Sequence, residues 1–94
     1  MTYQFDRSRF AETNTLPQQL AKILAELSEV YQALADGESE ERVLEELLDV
    51  YHAVETGLWI VERQNGPGFV QTARDGVAKK NRERGFYERY HHDT

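Results

Sequence analysis

Residues 16–66, LPQQLAKILAELSEVYQALADGESEERVLEELLDVYHAVETGLWIVERQNG, decide the fold. Leu16, Leu20, Ile23, Leu27, Val30 and Leu34 recur at alternating steps of four and three, which is the signature of one amphipathic helix. Thr15 is a candidate cap, and Pro17 is tolerated in a first turn whose amides lack partners in any case. Asp36-Gly37 ends the run, because glycine suits a left-handed C-terminal cap. Ser39 caps a second helix, with Glu40 and Glu41 favourable at its positive end. Its stripe is Val43, Leu47, Val50, Val54, Leu58 and Val61, and Gly66-Pro67-Gly68 breaks it. The two helices therefore form an antiparallel hairpin.

Four acids sit symmetrically about the turn of that hairpin. Glu26 and Glu29 are three residues apart on the first helix, and Glu46 and Asp49 repeat the spacing on the second. Three-residue spacing puts both carboxylates of a pair on one face, a turn apart. Folding at Gly37 brings Glu29 opposite Glu46 and Glu26 opposite Asp49. At about 100° per residue, each pair lies roughly 95–160° to the same rotational side of its apolar centre. In antiparallel helices a shared rotational offset becomes a shared flank, so the pairs should converge. Four carboxylates at one level repel unless a cation sits among them. Hard oxygen donors suit Mg²⁺ or Mn²⁺, which stay partly hydrated and bind together with substrate phosphates. Such an ion polarises a phosphate and makes hydroxide available near neutral pH. The ordinary alternative is a solvated acidic face, the usual fate of one such pair; Glu38 and Glu41 form another.

Outward from the hairpin, residues 1–15 read as an irregular lead anchored by Tyr3, Phe5 and Phe10. A third helix is expected from Phe69 to about Arg84, with Phe69, Ala73 and Val77 inward, Gly76 unfavourable within it and Gly85 stopping it. Residues 86–94 read as a tail. The expected fold is all-α, one domain over 1–94, completed as a bundle by homo-oligomerisation. Leu58-Trp59-Ile60-Val61 is apolar on every side of its helix, which predicts an interface between copies; the alternative is burial under the N-terminal lead.

The chain has 94 residues, no cysteine and a net charge of -6. This allows a modest core and no disulfide framework, fits a reducing compartment, and argues against nonspecific nucleic-acid binding as the main role. No apolar run approaches a membrane span, so the expectation is a cytoplasmic protein with no membrane partner. Residues 26–49 carry nine acids against one base, Arg42, whereas residues 63–94 carry seven bases against four acids. That asymmetry suits a site for metal plus polyanion, although opposite charges pairing on a solvated surface would produce it too. Lys79-Lys80-Asn81-Arg82-Glu83-Arg84-Gly85-Phe86 concentrates the bases. Cations also favour a helix C-terminus for purely local reasons.

Glu26-x-x-Glu29, sixteen residues, Glu46-x-x-Asp49 and a late Lys80-Asn81-x-x-Arg84-Gly85 together resemble the MazG-like all-α nucleoside triphosphate pyrophosphohydrolases. Lys22 four residues before Glu26 and the run Glu45-Glu46-Leu47-Leu48-Asp49-Val50 agree with it. The resemblance covers roughly residues 16–88. It implies a dimeric or tetrameric helical bundle holding Mg²⁺ through Glu26, Glu29, Glu46 and Asp49. It further implies hydrolysis of an NTP or dNTP to the monophosphate and pyrophosphate, a house-cleaning activity on nucleotide pools. By position, Lys80, Asn81 and Arg84 would bind phosphate or support the subunit interface, and Lys22 would pair with Glu26 or reach substrate. Ala25 departs from the family, many of whose members have glutamate there, and this bears on how many metal ions are held.

The rival reading is a non-catalytic helical module that responds to metal or nucleotide by binding a partner; a purely structural hairpin is a third. His52 reads as structural or surface, and His91 and His92 as tail residues. Trp59, Phe69 and Tyr51 read first as core or interface. Base and sugar preference are not legible.

Overall fold

The computed structural model describes residues 3–87. It contains α1 (Phe10–Thr13), α2 (Leu16–Ala35), α3 (Glu40–Asn65) and α4 (Phe69–Glu83), with no strand among the described residues. The chain is all-helical, as expected, and no helix among these residues is long and apolar enough to cross a membrane. The one element added to the expected set is α1, a single turn within the lead.

Local chemistry sets the ends of the hairpin helices. The Thr15 hydroxyl accepts from the Gln18 amide at 3.3 Å, while the Gln18 side chain accepts from the Thr15 amide at 2.8 Å, a reciprocal capping box. Ser39 caps α3 by accepting from the Arg42 amide at 3.2 Å. Between the helices Gly37 has φ +68, a conformation that strains any residue with a Cβ. There its amide donates to the Leu34 carbonyl and that of Glu38 to the Ala33 carbonyl, both at 3.1 Å. These bonds satisfy carbonyls that a helix end leaves orphaned.

The α2–α3 hairpin is the main packing unit, but it does not close along the centre of the leucine stripes. Gln19, Val30 and Ala33 of α2 are buried, as are Glu46, Ala53, Gly57 and Ile60 of α3. By helical geometry this contact face is turned roughly 60–100° from the apolar centres, toward the acids. Small side chains let the backbones approach, and Gln19 joins the helices. Its amide nitrogen donates to the Ala53 carbonyl at 2.9 Å, and its oxygen accepts from Asn14 at 2.9 Å. The expectation that the whole of both stripes faces inward is therefore corrected. Leu20, Leu24, Leu27 and Leu34 of α2 and Leu47 and Val54 of α3 are exposed.

Within the chain the Leu58–Val61 turn is partly covered by the N-terminal lead, the alternative that the sequence offered. Ile60 is wholly buried, while Leu58, Trp59 and Val61 are half-buried. Tyr3 stacks on the Trp59 ring at 4.2 Å and the Arg7 guanidinium lies 4.9 Å from the ring centre. The α1 turn is fastened to α3 by Arg63, which donates to the Glu12 and Asn14 carbonyls.

On α4 the inward residue is Val70, whereas Phe69 and Val77 are 49% and 50% exposed and Ala73 is exposed too. The Val70 amide donates to the Glu62 carboxylate at 3.3 Å, which orients the first turn of α4 on α3 and leaves the expected stripe outside. The radius of gyration is 16.0 Å. A compact chain of this length has about 12 Å, so a single copy leaves its helices spread.

Candidate metal centre

The hairpin register brings the acidic pairs together. Glu26, Glu46 and Asp49 each offer a carboxylate oxygen within 4.8 Å of the others. That spacing is close enough for small side-chain adjustments to bring the three oxygens onto one hard cation. Glu29 joins them from the exposed side. Its carboxyl is held above the ordinary glutamate range, chiefly by the Glu26 charge, then by hydrogen bonding to Glu46 and the Glu46 charge.

Burial distinguishes this group from a solvated acidic face. Glu46 is only 5% exposed, because the true hairpin contact is turned toward it. One of its oxygens is held by Arg42, a turn earlier on α3; the other, Oε2, is buried with no hydrogen-bond donor. The neighbouring Glu29 could donate only by carrying a proton. An orphaned buried carboxylate oxygen costs on the order of 1–3 kcal/mol or more. The donor set is all hard oxygen, the ligand type that divalent cations such as Mg²⁺ take.

Two cations already temper the repulsion. Lys22 Nζ lies 3.1 Å from Glu26, four residues on, as the sequence spacing suggested. Arg42 reaches Glu46, Glu45 at 3.3 Å and Glu38 at 3.9 Å, and these acids hold its guanidinium still more firmly protonated than usual. Sequence reading noted Arg42 only as the lone base of the acidic stretch. Its four-residue spacing to Glu46 was the available signal.

A cavity of about 200 Å³ opens beside the acids. It is lined by the charged Lys22, Glu26 and Asp49, by Gln19, His52, Ala53 and Thr56 of the hairpin, and by Ser8 and Phe10 of the lead. Its volume is below the roughly 300–1,000 Å³ of drug-sized pockets, which suits one ring or sugar rather than a whole large ligand. His52 keeps its structural role, stacking on Phe5 at 4.7 Å, yet its buried Nε2 has no partner.

Lys80, Asn81 and Arg84 lie at the C-terminal end of α4, whose first turn packs on α3 near Glu62. Among the described residues, no hydrogen bond or ion pair joins Lys80, Asn81 or Arg84 to the four acids. His91 and His92 lie outside the described residues. No protein-family model, curated protein or solved structure matches the chain.

Proposed function

We propose that Glu26, Glu29, Glu46 and Asp49 hold Mg²⁺, with Mn²⁺ as a substitute, and that the chain is a nucleoside triphosphate pyrophosphohydrolase. The observation that carries this reading is the buried, donorless Oε2 of Glu46 among converging carboxylates, two of which, Glu26 and Asp49, line a ring-sized cavity. Bound there, the metal would supply Lewis acidity toward phosphate oxygens and a water that ionises near neutral pH. Glu46, Glu26 and Asp49 fix the centre, and Lys22 orients Glu26. Glu29, exposed and readily protonated, is placed to take the proton of the attacking water. The new bond is from water oxygen to the α-phosphorus; the bond broken runs to the oxygen shared with the β-phosphate, and pyrophosphate leaves. The cavity takes the nucleoside end.

The exposed leucine flank supports assembly as a homodimer or homotetramer in which a second copy covers it. Assembly would also give Lys80, Asn81 and Arg84 a route to the phosphates. The direct test is pyrophosphate release from a panel of NTPs and dNTPs with Mg²⁺, Mn²⁺ or EDTA. Metal-dependent release of pyrophosphate with the monophosphate is expected; release of orthophosphate instead would overturn the proposed bond cleavage.

A second reading is favoured by Lys22 and Arg42, which neutralise two of the acids without any metal, and by Ala25. In that reading the chain is a non-catalytic module responsive to metal or nucleotide. Thermal stabilisation by Mg²⁺ with no turnover of any nucleotide would select it.

Proton linkage gives an independent check on the centre. Because the Glu29 pKa is raised, the folded chain binds more protons than the unfolded chain just above the ordinary glutamate value of 4.5. Metal-free stability should therefore decline as pH rises through that window. Metal must displace the same proton, so Mn²⁺ affinity should rise with pH over the window. Calorimetry in buffers of different ionisation enthalpy measures the released proton. An unchanged pH dependence in Glu29→Gln would remove Glu29 from the ligand set.

A further inference from the structure

Outside the acidic centre the described chain buries one other carboxylate in its middle, Glu55, which is 6% exposed and which the proposed chemistry does not use. Glu55 belongs to α3 but pairs with no cation among the described residues. Its two oxygens accept instead from the backbone amides of Gln4 and, at 3.0 Å, Phe5. A buried carboxylate facing two main-chain donors grips a strand of backbone regardless of its side chains, and such charge-assisted bonds are among the stronger ones. The grip falls at one place in the lead. On either side of it Tyr3 stacks on Trp59 and Phe5 stacks on His52, and a few residues later Ser8 and Phe10 line the cavity beside the acids.

We propose that Glu55 is a positioning residue for substrate: it latches the N-terminal lead onto α3, and the latched lead completes the pocket for the nucleoside end of the substrate. The inference rests on the pyrophosphohydrolase reading of the acidic centre and adds the residue that sets its organic subsite. Three features carry it. The carboxylate is buried; its partners are amides of the lead alone; and the lead supplies Ser8 and an aromatic residue, Phe10, to the lining of the cavity that Glu26, Asp49 and His52 also line. Releasing the lead would leave the acids on their helices and strip Ser8 and Phe10 from that lining.

The chain has one tryptophan, Trp59, and it sits under the lead, so its fluorescence reads the latch directly. Glu55→Gln keeps the size but turns an amide N–H toward a backbone N–H, and Glu55→Ala removes the acceptor. Both variants should retain helicity and Mn²⁺ affinity and shift Trp59 emission to the red. Nucleotide KM should rise about tenfold with kcat nearly unchanged, the pattern for lost ground-state binding. Phe10→Ala should reproduce the KM change with little effect on Trp59. Unshifted emission in both Glu55 variants would show that Glu55 is no latch. A red shift with unaltered KM would show that the lead forms no part of the site. A wild-type chain that neither binds nor turns over any nucleotide would remove the functional reading and this inference together. Active wild type with Glu55→Gln indistinguishable from it would remove this inference alone.

Discussion

Replacing Glu46 by glutamine is expected to do two opposite things: abolish metal-dependent pyrophosphate release and stabilise the metal-free protein. The loss follows from the ligand set. Metal-derived charge stabilisation is worth several kcal/mol in a transition state, so losing the one buried ligand should lower kcat by two to four orders of magnitude. The gain follows from burial. Glu46 Oε2 has no donor, and the carboxyl lies among three others. The amide keeps the volume, removes a charge from the cluster and can donate to a neighbouring carboxylate. Against this stands the pair with Arg42, half exposed and already shared with Glu38 and Glu45, worth at most about 1 kcal/mol. The net change should be a gain on the order of 1 kcal/mol, about 4–8 °C in Tm for a domain of this size. Adding Mg²⁺ should then raise the Tm of wild type and leave that of the variant unchanged. A variant that is less stable without metal would mean that the Arg42 pair outweighs the cost of the donorless Oε2.

The features read correctly from sequence are those that depend on local spacing. The caps Thr15 and Ser39, the turn at Gly37 and the three-residue acidic pairs are set by backbone geometry within one or two turns. The convergence of the pairs required only that the chain fold back at Gly37. What was not legible is how far each helix turns about its own axis. The leucine stripes are broad enough to serve two neighbours, and the sequence contains no mark dividing one side from the other. That division depends on small residues, Ala33, Ala53 and Gly57, and on Gln19, whose polar groups are satisfied only by long-range partners. The same turn buries Glu46, which a stripe-centred hairpin would have left outside. The lead was illegible for a related reason. Glu55 looks like one more acid of a helix face until backbone amides some fifty residues earlier are placed against it.

The rotation that buries Glu46 on one flank leaves an apolar face on the other, and its disruption is expected to take the proposed assembly apart into single chains. Leu20, Leu24, Leu27, Tyr31 and Leu34 of α2 are all exposed, Leu24 by 65% and Leu34 by 59%. On α3, Leu44, Leu47, Leu48, Tyr51 and Val54 continue the face around an almost wholly apolar groove of about 440 Å³. By helical geometry the two sets lie roughly 105° and 145° to the same rotational side of the hairpin contact, so in antiparallel helices they share a flank. Monomeric proteins rarely expose so many large apolar side chains on one flank. Removing a leucine from water contributes about 1.5–3 kcal/mol. In a two-fold assembly each substitution is felt twice, so placing a charge at Leu47 should weaken association by on the order of 5 kcal/mol, three to four decades in Kd. Wild type is expected to scatter light as a dimer or tetramer at micromolar concentration, and Leu47→Glu and Leu24→Glu as monomers. Because both side chains are half or more exposed within one chain, helicity should persist in the variants. Turnover should fall with dissociation if a second copy supplies Lys80, Asn81 and Arg84 to the phosphates, and the loss should be restored at high protein concentration. A monomeric wild type would remove the assembly, and with it that route for the basic motif. An oligomer indifferent to both substitutions would place the interface on α4, where Phe69 and Val77 are the remaining exposed apolar residues.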